Sequence, residues 1–370
     1  MATVQDVARR AGVSTATVSY ALNGTRYVSD ALRDRVLAAA RELHYEPNAA
    51  ARTLRSNRSA TIGLLISDLR NPFFTEALRG IEDLAQSRGY TVILANSEED
   101  PVRETACLRA LRARHVDGLI LASAGDRYAE LDELVQASFP IVLLDRDVAG
   151  LNVSAVMLDN VAAARAAVRH LIDLGHRRVG MVMGRPQISS TNERRAGYVQ
   201  ALAEARLSLD DALVVSGGST IEGGAAAADV LLQRRFPPTA IFVANNLMTI
   251  GALAAIERHG LTVPRDIAVV GFDDFPWADV LRPRLTTIAQ PLYELGRTAA
   301  EVLLEQLSGS GAQPRRVRLP GTLVIRDSSG ARQWRRISID AGLDDEEPRT
   351  TPRAQRTRPT VRRPSRRAVR

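Results

Sequence analysis

The stretch Val4-Gln5-Asp6-Val7-Ala8-Arg9-Arg10-Ala11-Gly12-Val13-Ser14-Thr15-Ala16-Thr17-Val18-Ser19-Tyr20-Ala21-Leu22 reads as a helix, a tight turn and a second helix. Thr3 and Ser14 stand where a side-chain oxygen accepts an unpaired N–H group of an opening helical turn. Val4, Val7, Ala8 and Ala11 share one face of the first helix, and Val18, Ala21 and Leu22 face them from the second. Outward-facing residues of the second helix are small and hydroxylic, which suits a recognition helix lying flush in the roughly 12 Å wide major groove of DNA. A third amphipathic helix, capped by Ser29 and turning Leu32, Val36, Ala40 and Leu43 inward, closes a small core.

Pro47-Asn48-Ala49-Ala50-Ala51-Arg52-Thr53-Leu54-Arg55-Ser56-Asn57-Arg58 follows, with good helix formers, three arginines and one large apolar residue, Leu54. Isolated helices shorter than ~12 residues are marginal in water, so this segment should order only against a partner. The order Ala2-Thr3-Val4, Asp6-Val7-Ala8, Ala11-Gly12-Val13-Ser14, Ala16-Thr17-Val18-Ser19, then Tyr45, Pro47-Asn48, Ala51-Arg52 and Leu54-Arg55 resembles the lactose/galactose repressor family of bacterial regulators. The resemblance implies that the short helix is a hinge. Two hinge helices of a homodimer would enter the minor groove at the centre of a palindromic operator, and Leu54 would wedge a base step open. It also implies DNA contacts by Thr3, Ser14, Thr15, Ala16, Thr17, Ser19, Tyr20 and Asn23 in the head and by Asn48, Ala51, Leu54 and Arg55 in the hinge. Thr15, Ala16 and Tyr20 are expected at base edges, and Ser14, Thr17, Ser19 and Asn23 mostly at phosphates.

The net charge of +7 divides unevenly along the 370 residues. Residues 1–58 carry +4, residues 59–330 carry −4 and residues 331–370 carry +7. Positive potential therefore sits at the two ends, and the acidic middle does not call for an anionic partner. Cys107 is the single cysteine, so no internal disulfide forms, and no zinc-type Cys/His spacing is present. Neither an apolar N-terminal signal segment nor an apolar run approaching a membrane span occurs, which leads us to expect a protein of the reducing cytoplasm, nucleoid-associated when bound to DNA.

From Thr61 the pattern changes to short apolar runs alternating with helical stretches. Residues 61–66, 91–95, 117–121 and 141–144 read as strands, with helices near 73–88, 101–114 and 127–137; a second series has strands at 178–182, 212–215, 240–243 and 267–270, with helices near 160–174, 191–205, 222–235 and 246–259. Continuous apolar strands between amphipathic helices argue for parallel sheets covered on both faces. The expected architecture is an all-α helix-turn-helix head (1–47), a hinge helix (48–58), and an α/β core of two doubly wound lobes (59–330) followed by a disordered basic tail (331–370). Asn71-Pro72-Phe73-Phe74, Glu193-Arg194-Arg195-Ala196-Gly197-Tyr198 and Gly271-Phe272-Asp273-Asp274 extend the resemblance to about residue 328 and imply a core like the periplasmic binding proteins. By that resemblance lobe 1 holds about 60–160 and 290–328, lobe 2 about 161–289, and a small effector, a sugar, binds in the cleft between them.

Open α/β sheets hold ligands beyond the carboxyl ends of their strands. Asp145, Asn245 and Asp273 stand at such points and, with Arg194 in a loop-to-helix segment, match family pocket positions, with Phe73 as an apolar wall, Gln290 on a crossover strand, and Ser123 and Ser190 beside them. Arg194 offers a planar fork of donors, while Asp145, Asn245 and Asp273 offer acceptors for sugar hydroxyls. Asp and Asn at strand ends also commonly cap the following helix, so capping is the rival reading for Asp145 and Asn245. Ser219 stands where several family members place an aromatic residue, which brings Trp277 into consideration as a substitute, and Tyr20 stands where many place a guanine-reading arginine.

Two other classes fit the sequence less well. A free sugar receptor would need an export signal and no DNA-reading head. An enzyme would need a nucleophile, metal cluster or acid–base pair in the cleft, and none is evident; neither a cofactor nor a metal is expected. An effector-activated corepressor type, answering to a nucleobase or a phosphorylated metabolite, uses the same cleft and remains the alternative within the family. The tail, rich in arginine and interrupted by Pro348, Pro352, Pro359 and Pro364, has little to bury.

Overall fold

The computed structural model describes residues 2–23, 26–45, 58–125, 128–309, 313–331 and 335–339. Its first unit is helical: α1 (Val4–Ala11), α2 (Thr15–Asn23) and α3 (Asp30–Glu42) enclose Val7, Ala8, Ala11, Val18, Ala21, Val36, Ala39 and Ala40. Thr3 opens α1 through a reciprocal cap, in which its Oγ1 accepts the Asp6 N–H at 3.3 Å and the Asp6 carboxylate accepts the Thr3 N–H at 2.9 Å. Gly12, at φ +63°, makes the left-handed turn between α1 and α2. Ser14 Oγ then accepts the Thr17 N–H at 3.1 Å. Ser29 departs from expectation: its hydroxyl makes no capping bond, and Asp30 in the first turn of α3 supplies the negative charge that this helix end favours.

The larger unit begins with β1 (Thr61–Ile66), α4 (Pro72–Ser87), β2 (Thr91–Asn96), α5 (Pro101–Ala113), β3 (Gly118–Leu121), α6 (Ala129–Gln136), β4 (Ile141–Leu144) and β5 (Ser154–Leu158). It continues through α7 (Asn160–Asp173), β6 (Val179–Met183), α8 (Ser189–Glu204), β7 (Val214–Ser216), α9 (Ile221–Leu232), β8 (Ala240–Val243), α10 (Asn246–Arg258), β9 (Ala268–Phe272) and β10 (Thr286–Ala289). The last elements are α11 (Leu292–Leu307), β11 (Arg316–Leu319), β12 (Thr322–Ile325) and β13 (Arg335–Ser338).

These strands form two sheets. The first runs β11-β5-β4-β3-β1-β2, all parallel; the second runs β13-β12-β10-β9-β8-β6-β7, parallel except where β12 pairs antiparallel with both β10 and β13. Buried apolar strands such as Ile141–Leu144 and Ala240–Val243 sit between helices that carry apolar residues on one face. Several connections end in a side-chain cap, with Asn71 opening α4, Asp100 α5, Asp159 α7 and Asn245 α10. Gly80 and Gly296 let α4 and α11 touch backbone to backbone, since a Cβ on Gly296 would lie 1.9 Å from the Ala77 carbonyl oxygen.

Strands β5 and β10 fall outside the runs read as strands, most other ends shift by one to three residues, and three placements differ in kind from the sequence reading. Asp210 caps a single 3₁₀ turn over Asp211–Leu213, so the strand expected at 212–215 begins at Val214. Thr322–Ile325, expected in lobe 1, belongs to the second sheet: after β11 the chain crosses once more, because β12 finds its hydrogen-bonding partner in β10. Residues 335–338, expected in the disordered tail, form an edge strand against β12, and Ile339 is buried. Arginine dominates the composition of the terminal forty residues and, with the recurring prolines after 347, hides this short run, while the open edge of β12 provides the pairing groups. Residues 340–370 lie outside the described residues.

Candidate functional site

Two regions gather the expected functional residues. On α2, Thr15 and Ala16 are exposed at the N-terminal end, and Thr17, Ser19 and Tyr20 are half-buried. The Arg26 guanidinium lies 5.3 Å from the centroid of the Tyr20 ring, so cation and phenol form one surface. Ser14 Oγ bonds both the Thr17 N–H and, at 2.9 Å, Thr17 Oγ1, and Thr3 is engaged with Asp6. Both therefore hold helix ends as well as facing outward. Asn48, Ala51, Leu54 and Arg55, with the side chain of Asn23, lie outside the described residues.

The second region is a cleft between the two sheets' carboxyl ends. Asn71, Phe73, Phe74, Asp145 and Arg146 line it from the first lobe; Ile188, Ser190, Thr191, Arg194, Ser219, Asn245 and Asp273 line it from the second. Its cavity is only about 30 Å³, room for water, whereas small-molecule sites usually offer about 300–1,000 Å³. Direct contacts hold the lobes together: Asn246 Nδ2 donates to Asn71 Oδ1 at 2.9 Å, and the Asp147 N–H donates to Ser189 Oγ at 2.7 Å.

Asp145 follows β4 and Asp273 follows β9, both buried and both at φ +69°. Burial pushes the Asp145 carboxyl above its ordinary value, and Asp273 adds to that rise while Arg146 and Arg194 oppose it. Asp273 is held by two donors, Gln290 Nε2 at 2.5 Å and the Asn246 N–H at 3.3 Å. Gln290 thus acts behind Asp273 rather than on the cleft wall.

Arg194 lies 3.8 Å over the Phe272 ring, donates through Nε to Asn160 Oδ1 at 2.8 Å and through one terminal nitrogen to the Ala244 carbonyl at 2.7 Å. The guanidinium is thereby oriented, with further N–H groups directed elsewhere. Asn245 Oδ1 caps α10 through the Met248 N–H at 2.9 Å, as the rival reading supposed, yet the residue also lines the cleft. Phe73 and Ser190 line it as expected.

Two expected residues are placed elsewhere. Trp277 stacks on the buried Phe275 in a 3₁₀ turn, where Leu285 and Ala278 complete a separate apolar cluster. Ser123 Oγ donates to Glu104 at 2.7 Å and its carbonyl accepts from Arg146 at 2.8 Å, so it stands behind the cleft wall.

Residues 3–48 match the model of the lacI family of bacterial regulatory proteins, and residues 168–329 match a periplasmic binding protein-like domain. A ribose operon repressor of Haemophilus influenzae is 38% identical over 328 residues, spanning 89% of this chain and 98% of its own. The chain belongs to the lacI family of bacterial regulatory proteins. Like the relatives it matches, this lacI-family protein is a DNA-binding transcriptional regulator with a helix-turn-helix head and an effector-binding body. A lac repressor dimer bound to operator and an anti-inducer superposes with a TM-score of 0.80 at 30% identity, over 89% of this chain and 99% of that one. A complex of the regulator CelR with cellobiose gives 0.69 at 33% identity, over 89% and 100%.

Within this lacI-family chain, sequence reasoning passed over Arg146, Asn71 and Phe74. The doublet Asp145-Arg146 directly after a buried strand, and the whole of Asn71-Pro72-Phe73-Phe74 rather than Phe73 alone, carried the signal. No group of three or more His, Cys, Asp or Glu poised for a metal occurs among the described residues, and no described helix is long and apolar enough to cross a membrane.

Proposed function

We propose that this lacI-family regulator represses transcription as a homodimer on a palindromic operator and is switched by an uncharged sugar of ribose size held between the lobes. The observation that carries this reading is the balance of charge in the cleft. Arg146 is ion-paired with Asp145 at 3.3 Å and with Glu99 at 2.6 Å, and Arg194 stands with Asp145 and Asp273. No net positive charge is left over for a phosphate. Carboxylates accept sugar hydroxyls, guanidinium N–H groups donate to them, and Phe73 supplies the apolar wall that a sugar's C–H face requires. The name of the Haemophilus influenzae relative makes ribose the first sugar to try.

Thr15, Ala16 and Tyr20 read base edges in this account, and the hinge leucine Leu54 opens the operator centre. The chain acts in the cytoplasm. A thermal-shift series with pentoses, hexoses, nucleosides and phosphorylated sugars tests the effector class, because a ligand at one hundred times its Kd adds about 2.7 kcal/mol of stability. A neutral monosaccharide should raise the melting temperature. Stabilisation by a nucleoside or a phosphorylated sugar alone would overturn the sugar reading and favour the corepressor type.

A further inference from the structure

Glu99 departs from its surroundings in three ways. It follows β2 in a loop where Glu98 and Glu99 both adopt left-handed backbone, at φ +52° and +58°. Consecutive residues without glycine seldom take this conformation unless the surrounding structure compels it. Its side chain is largely buried at the first lobe's edge of the cleft. And its carboxylate is gripped from both lobes: Arg146 donates to Oε1 at 2.6 Å and to Oε2 at 2.9 Å, while Arg185, from the loop before α8, lies 3.5 Å from Oε2 and donates to the Glu99 carbonyl at 2.6 Å.

Two arginines from opposite lobes converging on one carboxylate make the geometry of an anion site. A guanidinium presents its donors in a fork that fits a carboxylate or a phosphate equally well. We propose that Glu99 is a specificity-determining residue that restricts the cleft to uncharged effectors, its carboxylate taking the place between Arg146 and Arg185 that an anionic group of a ligand would otherwise take. Burial works to raise the Glu99 carboxyl, but Arg146 first, then the Ser67 hydroxyl and Arg185, outweigh it and hold the group below its ordinary value, so it stays charged. Arg146 itself lines the effector cleft, and the occupied anion site therefore borders the proposed effector. This inference rests on the reading of the cleft as the effector site, yet its test does not need the effector.

The experiment compares thermal melting of the full-length protein in inorganic phosphate with melting in sodium chloride of equal ionic strength. Wild-type protein should melt alike in both. Glu99→Ala removes the carboxylate and vacates its place, leaving the two arginines to take phosphate; its melting temperature should rise by several degrees in phosphate relative to chloride. Adding Arg146→Gln to Glu99→Ala should cancel that rise and so locate the ion. Should Glu99→Ala fail to fold in either salt, Glu99→Ser, also uncharged and too short to fill the place, should show the same phosphate-specific rise. Equal melting in the two salts for the folded variants, or a rise that survives loss of Arg146, would overturn the proposal. D-ribose, added in parallel, separates the two readings: no response to ribose by wild type counts against the sugar, while the phosphate comparison still decides the role of Glu99.

Discussion

Asp145 and Asp273 occupy equivalent points of the two lobes, each the first residue after a buried parallel strand and each at φ +69°. Left-handed backbone in a non-glycine residue costs on the order of 1 kcal/mol, and Asp and Asn bear it best. The same turn, made twice, delivers one carboxylate to the cleft from each lobe. Asp273→Asn should therefore fold normally and bind operator as wild type does, while effector affinity falls by about 1.5–3 kcal/mol, the usual worth of a hydrogen bond to a charged group. Isothermal titration measures the loss. An unchanged sugar titration would take Asp273 out of the site.

Acid stability should report the Glu99 pairing with Arg146. The folded-state value of this carboxyl lies below the ordinary 4.5, so the unfolded chain takes up the proton first as pH falls. The stability supplied by the pair is complete above about pH 4.5 and is lost as pH falls through the lower folded-state value. Glu99→Gln should lower the melting temperature at pH 7 and flatten its decline below that range. Parallel pH profiles for variant and wild type would show that the pair adds nothing.

The boundary of the second lobe invites truncation. A chain ending at Ser329 loses β13 and the buried Ile339, which together close the edge of the second sheet, whereas a chain ending at Asp340 keeps both. The shorter chain should melt several degrees lower and be more prone to associate through the uncovered edge of β12. Identical melting of the two truncations would mean that β13 contributes no stability.

Much of the architecture was legible because buried parallel strands leave short, β-branched apolar runs, such as Ile141–Leu144 and Ala240–Val243, between longer amphipathic stretches. The strand-end residues Asp145, Asn245 and Asp273 converge on the cleft because the same topology that makes the runs points their carboxyl ends one way, and Arg194 joins them from the first half of α8. Gln290 reaches the site only through Asp273. Trp277 and Ser123 misled because chemistry alone recommends them; their turn and their hydrogen bonds turn them elsewhere. Arg146 and Glu99 were hidden for the opposite reason, since 47 positions separate them and nothing in the sequence says that they pair.

Base reading by the head should turn on Tyr20. In the structure the Arg26 guanidinium lies 5.3 Å from the centroid of the Tyr20 ring. Tyr20→Arg should change the preferred base at one symmetric position in each operator half-site. Selection from random duplexes with both proteins decides the matter, and an identical consensus would show that Tyr20 does not read a base.

Leu54 carries the hinge assignment. Removing an intercalating wedge should weaken operator binding by roughly 1–3 kcal/mol, comparable to a lost specific contact, and should leave the cleft untouched. Leu54→Ala is thus expected to lose operator affinity in a gel-shift titration and to titrate sugar normally. Equal operator affinity would move the wedge to another residue.

The account stands or falls on coupling between head and cleft, and one titration tests it most directly: affinity of the full-length protein for its selected operator, by fluorescence anisotropy, with and without D-ribose. A coupling of 1–3 kcal/mol, about 5- to 150-fold in affinity, is expected for wild type, and Asp273→Asn should need a correspondingly higher ribose concentration to show it, while the ribose-free operator affinity of both proteins agrees. Operator affinity that stays the same at saturating ribose, with ribose demonstrably bound in the cleft, would contradict it.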